Sequence, residues 1–242
     1  MGARTAYEKA IELDPSYAKS YNGYGNLLGQ AFQDFAGARA AYEKAIELDP
    51  SGSLAYNGYG NLLADHFQDY AGARAAYEKA IDVDSSYLAS YSGYGNILAD
   101  HFKDYVTART IYQKAIEFDP SDARIQHNYG NLLADHFQDF SCARDTYQKA
   151  IQVRPMDATV YNDLDNLLAD HFQDFAGASI AYKKALELKP NDPFFLFNYD
   201  AFLLDMGDRQ EGLKCLRSAT RAEESFRSLL PPEVQQLLYD GM

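Results

Sequence analysis

One segment occurs six times along this chain, each copy 35 residues after the last. GARTAYEKAIELDP at Gly2 becomes GARAAYEKAIELDP at Gly37 and GARAAYEKAIDVDS at Gly72. It continues as TARTIYQKAIEFDP at Thr107, CARDTYQKAIQVRP at Cys142 and GASIAYKKALELKP at Gly177. A second segment alternates with it: YNGYGNLL from Tyr21 and from Tyr56, YSGYGNIL from Tyr91, QHNYGNLL from Gln126 and YNDLDNLL from Tyr161. A fixed period of this length makes each copy one supersecondary unit, too small to bury its apolar face alone. The copies must therefore stack and share a core. No linker or low-complexity tract interrupts the series, so a single continuous array is expected.

Both segments carry helical spacing. Tyr21, Tyr24, Gly25 and Leu28 fall at i, i+3, i+4 and i+7, one stripe of a first helix, hereafter helix A. Phe35, Ala38, Tyr42, Ala45 and Ile46 do the same in helix B, with Arg39, Glu43, Lys44 and Glu47 on the other side. Pro50, Pro120, Pro155 and Pro190 are placed to stop helix B, because proline cannot continue a helix and restricts the residue before it. Asp34, Asp69, Asp104, Asp139 and Asp174 stand where an N-cap should open helix B. Asp192-Pro193 sets a cap before a proline at the first helical position. The expected fold class is all-α: an α-solenoid, a right-handed superhelix of antiparallel helix–turn–helix repeats.

Composition narrows the class further. Of 242 residues, 22 are Lys or Arg and 35 Asp or Glu, a net charge of −13 that argues against a phosphate-backbone partner. Hydrophobic residues make up 47%, too many for a disordered acidic chain, yet no apolar run is long enough to cross a bilayer. The first residues lack the apolar core of a secretory signal. Two cysteines, Cys142 and Cys215, cannot build a disulfide framework or a tetrahedral metal cage. A cytoplasmic protein without cofactors, nucleic-acid partner or membrane contact is expected.

These residues resemble the tetratricopeptide-repeat family. Tyr21, Tyr24, Gly25 and Leu28 correspond to the bulky, apolar, small and apolar positions of its first helix. Ala38, Tyr42, Ala45 and Pro50 match the alanine, aromatic, alanine and terminal proline of its second. The resemblance extends over nearly the whole chain. Two departures are systematic: the period exceeds the usual 34 residues by one, and tyrosine replaces tryptophan at Tyr21, Tyr56, Tyr91 and Tyr161. The extra residue falls in the QAFQDF or DHFQDF turn. The last copy, with MGDRQEGL, has the shorter turn, so Gly212, Leu216 and Ala219 come one place early. RNA-binding pentatricopeptide arrays share the 35-residue period, but the acidic charge and this signature argue against them.

The expected organisation is an orphan second helix of an incomplete repeat over 1–15, then repeats at 16–50, 51–85, 86–120, 121–155, 156–190 and a degenerate one at 191–224. A capping helix over 225–242 would use Val234, Leu237 and Leu238 after Pro231-Pro232. The orphan helix exposes Ala3, Ala6, Tyr7, Ala10 and Ile11. Either the chain is a piece of a longer array, or another molecule covers that stripe, a homo-oligomer through residues 2–13 included.

A polar ladder runs along the A helices. Asn22 and Asn26, Asn57 and Asn61, Ser92 and Asn96, His127 and Asn131, and Asn162 and Asn166 are i,i+4 pairs on one face. One turn further come Gln30, Asp65, Asp100, Asp135 and Asp170. In the resembled family this face lines the concave groove that holds extended peptides. An amide suits that task, since it both donates to and accepts from a peptide backbone, and the Asp row favours a basic peptide. The inner series could instead bond the neighbouring repeat's backbone and serve structure alone. Family members that clamp a C-terminal carboxylate need lysines where this chain has Asn22, Asn57 and Asn162. Only Lys19 and Arg124 are basic at the groove edge, which argues against such a clamp.

The D-H-F-x-D run at Asp65-His66-Phe67, and again from Asp100, Asp135 and Asp170, reads as helix closure. The histidine meets the C-terminal dipole and the second Asp caps helix B. Copies translated along a solenoid do not converge on a metal. Cys142 and Cys215 read as buried packing residues. Asp163 and Asp165 replace the glycines of GYG, and Asp200 repeats the second change. A carboxylate between two packed helices must reach solvent or a donor, or that helix pair must splay. No catalytic motif is present. The sequence thus predicts a non-enzymatic scaffold that binds another protein or peptide, or alternatively a self-stacking structural array.

Overall fold

The computed structural model describes residues 2–222. Among them are thirteen α-helices and no strand: α1 Gly2–Leu13, α2 Ala18–Phe32, α3 Phe35–Leu48, α4 Ser53–Phe67, α5 Tyr70–Val83, α6 Leu88–Asp100 and α7 Tyr105–Phe118. There follow α8 Ala123–Leu132, continued by a π-helical turn Leu133–Phe137, then α9 Phe140–Val153, α10 Ala158–Phe172, α11 Phe175–Leu188, α12 Pro193–Asp205 and α13 Arg209–Ala222. The chain divides into two compact units, Met1–Pro120 and Ser121–Met242. Even-numbered helices are the A helices and odd-numbered ones the B helices of successive hairpins. The expected capping residues Val234, Leu237 and Leu238 lie outside the described residues.

The caps form as expected. The Asp34, Asp69, Asp104, Asp139 and Asp174 carboxylates accept the backbone N–H three residues on, from Gly37, Gly72, Thr107, Cys142 and Gly177. Proline is not what ends the B helices. α5 stops at Val83 with Ser85 in the proline's place, just as α3 stops at Leu48 before Pro50. The common element in the first unit is an aspartate after the helix. Asp14, Asp49 and Asp84 each accept the backbone N–H, at 3.0 Å, and the hydroxyl of the serine two residues on. Such a side chain competes with continued helix by offering the backbone a turn. These serine bonds hold all three carboxyls below the ordinary carboxylate range.

The extra residue of the 35-residue period is visible in the A–B turn. Gln33, Gln68, Lys103, Gln138 and Gln173 all sit in the left-handed region, at φ 51° to 55°. The Gln33 N–H donates five residues back to the Leu28 carbonyl, and Asp34 N–H donates to the same oxygen at 2.9 Å. This wide last turn absorbs one more residue than a plain α-helical end. In the last hairpin α12 ends earlier and the left-handed position is Gly207, at φ 82°.

Packing in the first unit is organised around one tyrosine per B helix. Tyr42 is 5% exposed, in a cluster with Leu28, Ala38 and Leu62. A Cβ on Gly25 of its own hairpin would meet the Tyr42 ring at 3.0 Å, and one on Gly58 of the next at 2.7 Å. Tyr77 lies in the same way between Gly60 and Gly93. Two glycines thus admit each ring, and each ring ties two hairpins together. Added methyl groups there would force the helices apart.

Candidate functional site

The inner asparagines are held by the same tyrosines. Tyr42 Oη donates to Asn26 Oδ1, Tyr77 to Asn61, Tyr147 to Asn131 and Tyr182 to Asn166, each at 2.7 Å, and Tyr112 donates to Asn96. The expected alternative, a bond to the neighbouring repeat's backbone, is replaced by this bond inside one hairpin. The reason is reach: the Tyr42 ring already lies against α2 and points its hydroxyl along it. In Asn26, Asn61, Asn131 and Asn166 only the carbonyl side of the amide is engaged. The NH2 groups of Asn26, Asn61, Asn131 and Asn166 have no hydrogen-bond partner among the described residues. Burial pushes the Tyr42 hydroxyl up to about 12, so it stays a donor at any physiological pH.

The outer series is wired from hairpin to hairpin. Asn57 Oδ1 accepts from Ser90 Oγ at 3.3 Å, and Asn162 Oδ1 accepts from Asn198 Nδ2 at 3.0 Å. Asn22 has the same setting, but Ala55 stands where Ser90 would be, and Asn22 Oδ1 is buried without a partner. Asn22 and Ala55 line a cavity of about 140 Å³ with Lys19 and Asp49. His127 and Asp163 form a further link, with Nε2 and Oδ2 2.6 Å apart between α8 and α10. The Asp163 departure thereby finds its partner in the histidine that departs from asparagine one copy earlier.

In the second unit these residues enclose a polar cavity of about 250 Å³. Asn131, Asp135, Asp163, Asn166, Asp170 and His171 line it over Tyr147. Burial raises the Asp135 carboxyl; the neighbouring His136 works against that rise and the Asp163 charge adds a little to it. Three carboxyls around one small space create negative potential suited to a cationic group. In the first unit Asp65 and Asp100 are exposed on the A helices, as are Asn61 and Asn96.

The histidines of the D-H-F run do more than close a helix. His66 stacks on Phe35 at 3.7 Å, His101 on Tyr70 at 3.5 Å and His171 on Phe140 at 3.6 Å, each pair joining consecutive hairpins. The following phenylalanines take a guanidinium from the preceding hairpin: Arg39 over Phe67, Arg74 over Phe102 and Arg144 over Phe172. Among the described residues no group of three His, Cys, Asp or Glu side chains could hold a metal ion.

Two expectations need correction. Cys142 is exposed, not buried, because the first turn of α9 faces outward there; a hydrogen bond with Asp139 raises its thiol and makes it less nucleophilic. Cys215 is buried as expected. Asp165 does not reach solvent, and its helix pair does not splay; the nearby Asn166 N–H and Tyr182 hydroxyl oppose the rise of its pKa without making a full hydrogen bond. It is 0% exposed, both carboxyl oxygens lack a partner, and Leu164, Leu167, Ala178, Ala181 and Tyr182 remain buried around it. The closed packing is kept because the carboxyl is neutral, pushed by burial up to about 10. Asp200, one hairpin on, is pushed up to about 7 by the same cause.

Helix hairpins stacked through a Tyr–Gly seam, with a polar face on the A helices, define a helical-repeat scaffold. Residues 30–87 and 66–123 match the family model for the tetratricopeptide repeat. Comparison with curated proteins found no match. Among solved structures the chain is similar to YrrB, described as a TPR protein with an unusual peptide-binding site. That pair is 25% identical over 80% of this chain and 97% of the other, with a TM-score of 0.59. PilF of Pseudomonas aeruginosa is 18% identical over 93% of this chain and 98% of the other, with a TM-score of 0.73. In the Cut9–Hcn1 assembly of the APC/C the match is 15% identical over 98% of this chain but 45% of the other, with a TM-score of 0.78. The fold is that of a protein–protein interaction scaffold of a generally non-enzymatic kind, and no catalytic family is indicated. No described helix is long and apolar enough to cross a membrane.

Proposed function

We propose that this protein binds an extended, basic peptide segment of another protein along the A-helix face. The ligand-facing residues are Asn22, Asn26, Asn57, Asn61, Asp65, Ser92, Asn96 and Asp100 in the first unit and His127, Asn131, Asp135, Asn162, Asn166 and Asp170 in the second. The observation that carries the reading is the pairing of free amide NH2 groups with carboxylates one turn away. Each NH2 can donate to a peptide carbonyl while its own carbonyl stays locked by tyrosine. The acidic cavity at Asp135, Asp163 and Asp170 then fits a lysine or arginine side chain. The peptide-binding site named for YrrB is consistent with this use of the fold. The repeat division given above from the sequence, at 16–50 through 191–224, belongs to the same proposal.

Titration calorimetry with lysine-rich and glutamate-rich extended peptides tests it. The lysine-rich peptide should bind, lose affinity as salt rises, and lose at least about tenfold with Asp135→Asn and Asp170→Asn together. Equal affinity for both peptides, or unchanged binding by the folded double variant, overturns the reading. Stacking of copies through α1 is the alternative. It is favoured by that helix having no buried residue and by Leu13 being 79% exposed. A mass that stays monomeric at high concentration removes it.

A further inference from the structure

A third cavity, of about 300 Å³, opens between α9, α10 and α11 and shares no residue with the acidic one. Leu164 and Leu168 of α10 form part of its wall, with Ile151 and Gln148 of α9 and Ile180 and Ala181 of α11. Comparison of the copies inside this chain shows why it is there. In the first unit the same place is filled from within. Tyr59 packs on the Leu28–Tyr42 cluster and donates its hydroxyl to Glu43 Oε1 of the preceding B helix at 2.8 Å. Tyr94 donates likewise to Glu78, and Tyr24 to Glu8. The glutamate has already become Gln113 in the copy that keeps Tyr129, and in the fifth copy Leu164 stands where the tyrosine was, opposite Gln148.

Leucine is shorter than tyrosine by most of a ring and a hydroxyl, and the shortening opens part of the cavity. Gln148 is exposed beside it and offers an acceptor without a charge. The Gln148 amide has no partner among the described residues. At the rim Ile180 is 72% exposed, where the first unit has the small Ala40 and Ala75. An apolar side chain held out over an apolar cavity adds wall to it.

We propose that this cavity is a socket for a tyrosine side chain projecting from a partner protein. The ring fills the space that Tyr59 and Tyr94 fill from within, and the hydroxyl donates to Gln148 Oε1. The occupant is inferred from the chain's own copies: where the ring is built in, its phenol tip bonds the residue at position 43 or 78, and position 148 keeps an acceptor. Aromatic side chains with a polar tip are the usual occupants of such holes at interfaces.

The test uses N-acetyltyrosine amide and p-cresol as probes, followed by NMR of the Leu and Ile methyl groups and the Gln148 side-chain amide. Both probes should shift Leu164, Ile180 and Gln148 saturably, and N-acetylphenylalanine amide should bind several-fold more weakly. The double variant Leu164→Tyr with Gln148→Glu rebuilds the internal pair, so it should fold and lose binding by at least about tenfold. The single variant Ile180→Ser should weaken binding without closing the cavity. No saturable shift in the natural chain overturns the proposal, as does equal binding by the folded double variant. Binding of p-cresol without N-acetyltyrosine amide rejects a protein-borne tyrosine, and equal phenylalanine and tyrosine affinity rejects the role of Gln148.

Discussion

Replacing Asp165 by asparagine should stabilise the protein, and the gain should depend on pH in a way that identifies its cause. The Asp165 carboxyl is shut between α10 and α11 with no partner for either oxygen, and its pKa stands at about 10 against 3.8 for a free aspartate. At pH 7 the folded chain must therefore keep a proton that the unfolded chain has released. The cost is about 1.4 kcal/mol for each pH unit between 3.8 and 7, or at most about 4 kcal/mol. The sign follows from the raised folded value. The penalty is absent below the unfolded pKa, grows as pH rises, and stops growing only where the folded group ionises. Asparagine has the same shape and no proton to hold. Native-state hydrogen exchange at the α10 and α11 amides reads the opening of this hairpin directly. The variant should open less readily at pH 7 by up to about 4 kcal/mol, at pH 5 by about 2 kcal/mol, and near pH 4 hardly at all. A gain that does not change with pH, or no gain at pH 7, would refute the claim that the carboxyl is buried and neutral.

Two smaller changes follow from the same comparison of copies. Ala55→Ser places a hydroxyl where Ser90 meets Asn57, giving the buried Asn22 Oδ1 its missing donor. Chemical denaturation should show a gain of about 1 kcal/mol, and a loss would mean that the cavity beside Asn22 has no room for the hydroxyl. Gln68→Gly relieves a left-handed residue at φ 54° in the turn between α4 and α5. It should raise stability by about 0.5–1 kcal/mol in the same assay, and destabilisation would mean that the glutamine side chain matters more than its backbone.

What could be read in advance was whatever rests on near neighbours. The caps at Asp34 and Asp69, the stripe from Tyr21 to Leu28 and the extra residue at Gln33 involve positions within about two turns of helix, so a periodic sequence displays them. Contacts between residues 16 or more apart were not legible one copy at a time. The Tyr42–Asn26 bond spans 16 positions and the His127–Asp163 contact 36. Both carry a signal only when copies are aligned and departures are paired: His127 replaces an asparagine in the copy before Asp163 replaces a glycine. The fate of Asp165 was missed for a different reason. The expectation allowed solvent, a donor or a splayed helix pair, but not a carboxyl that gives up its charge and stays closed in. Stacking of His66 on Phe35 was hidden because the local geometry of a helix end already accounted for the histidine.

Because the Tyr42 and Tyr77 rings are each clasped by a glycine from their own hairpin and another from the next, the natural module of the first unit is the seam and not the hairpin. Anyone lengthening or shortening the protein by cutting at the 35-residue boundaries would separate rings from half of their clasps. Cuts placed inside the A helix, between Gly58 and Gly60 and at their counterparts, would carry every clasped ring along whole. Grafted arrays joined at those points should register cleanly, with no rescue mutations at the joint.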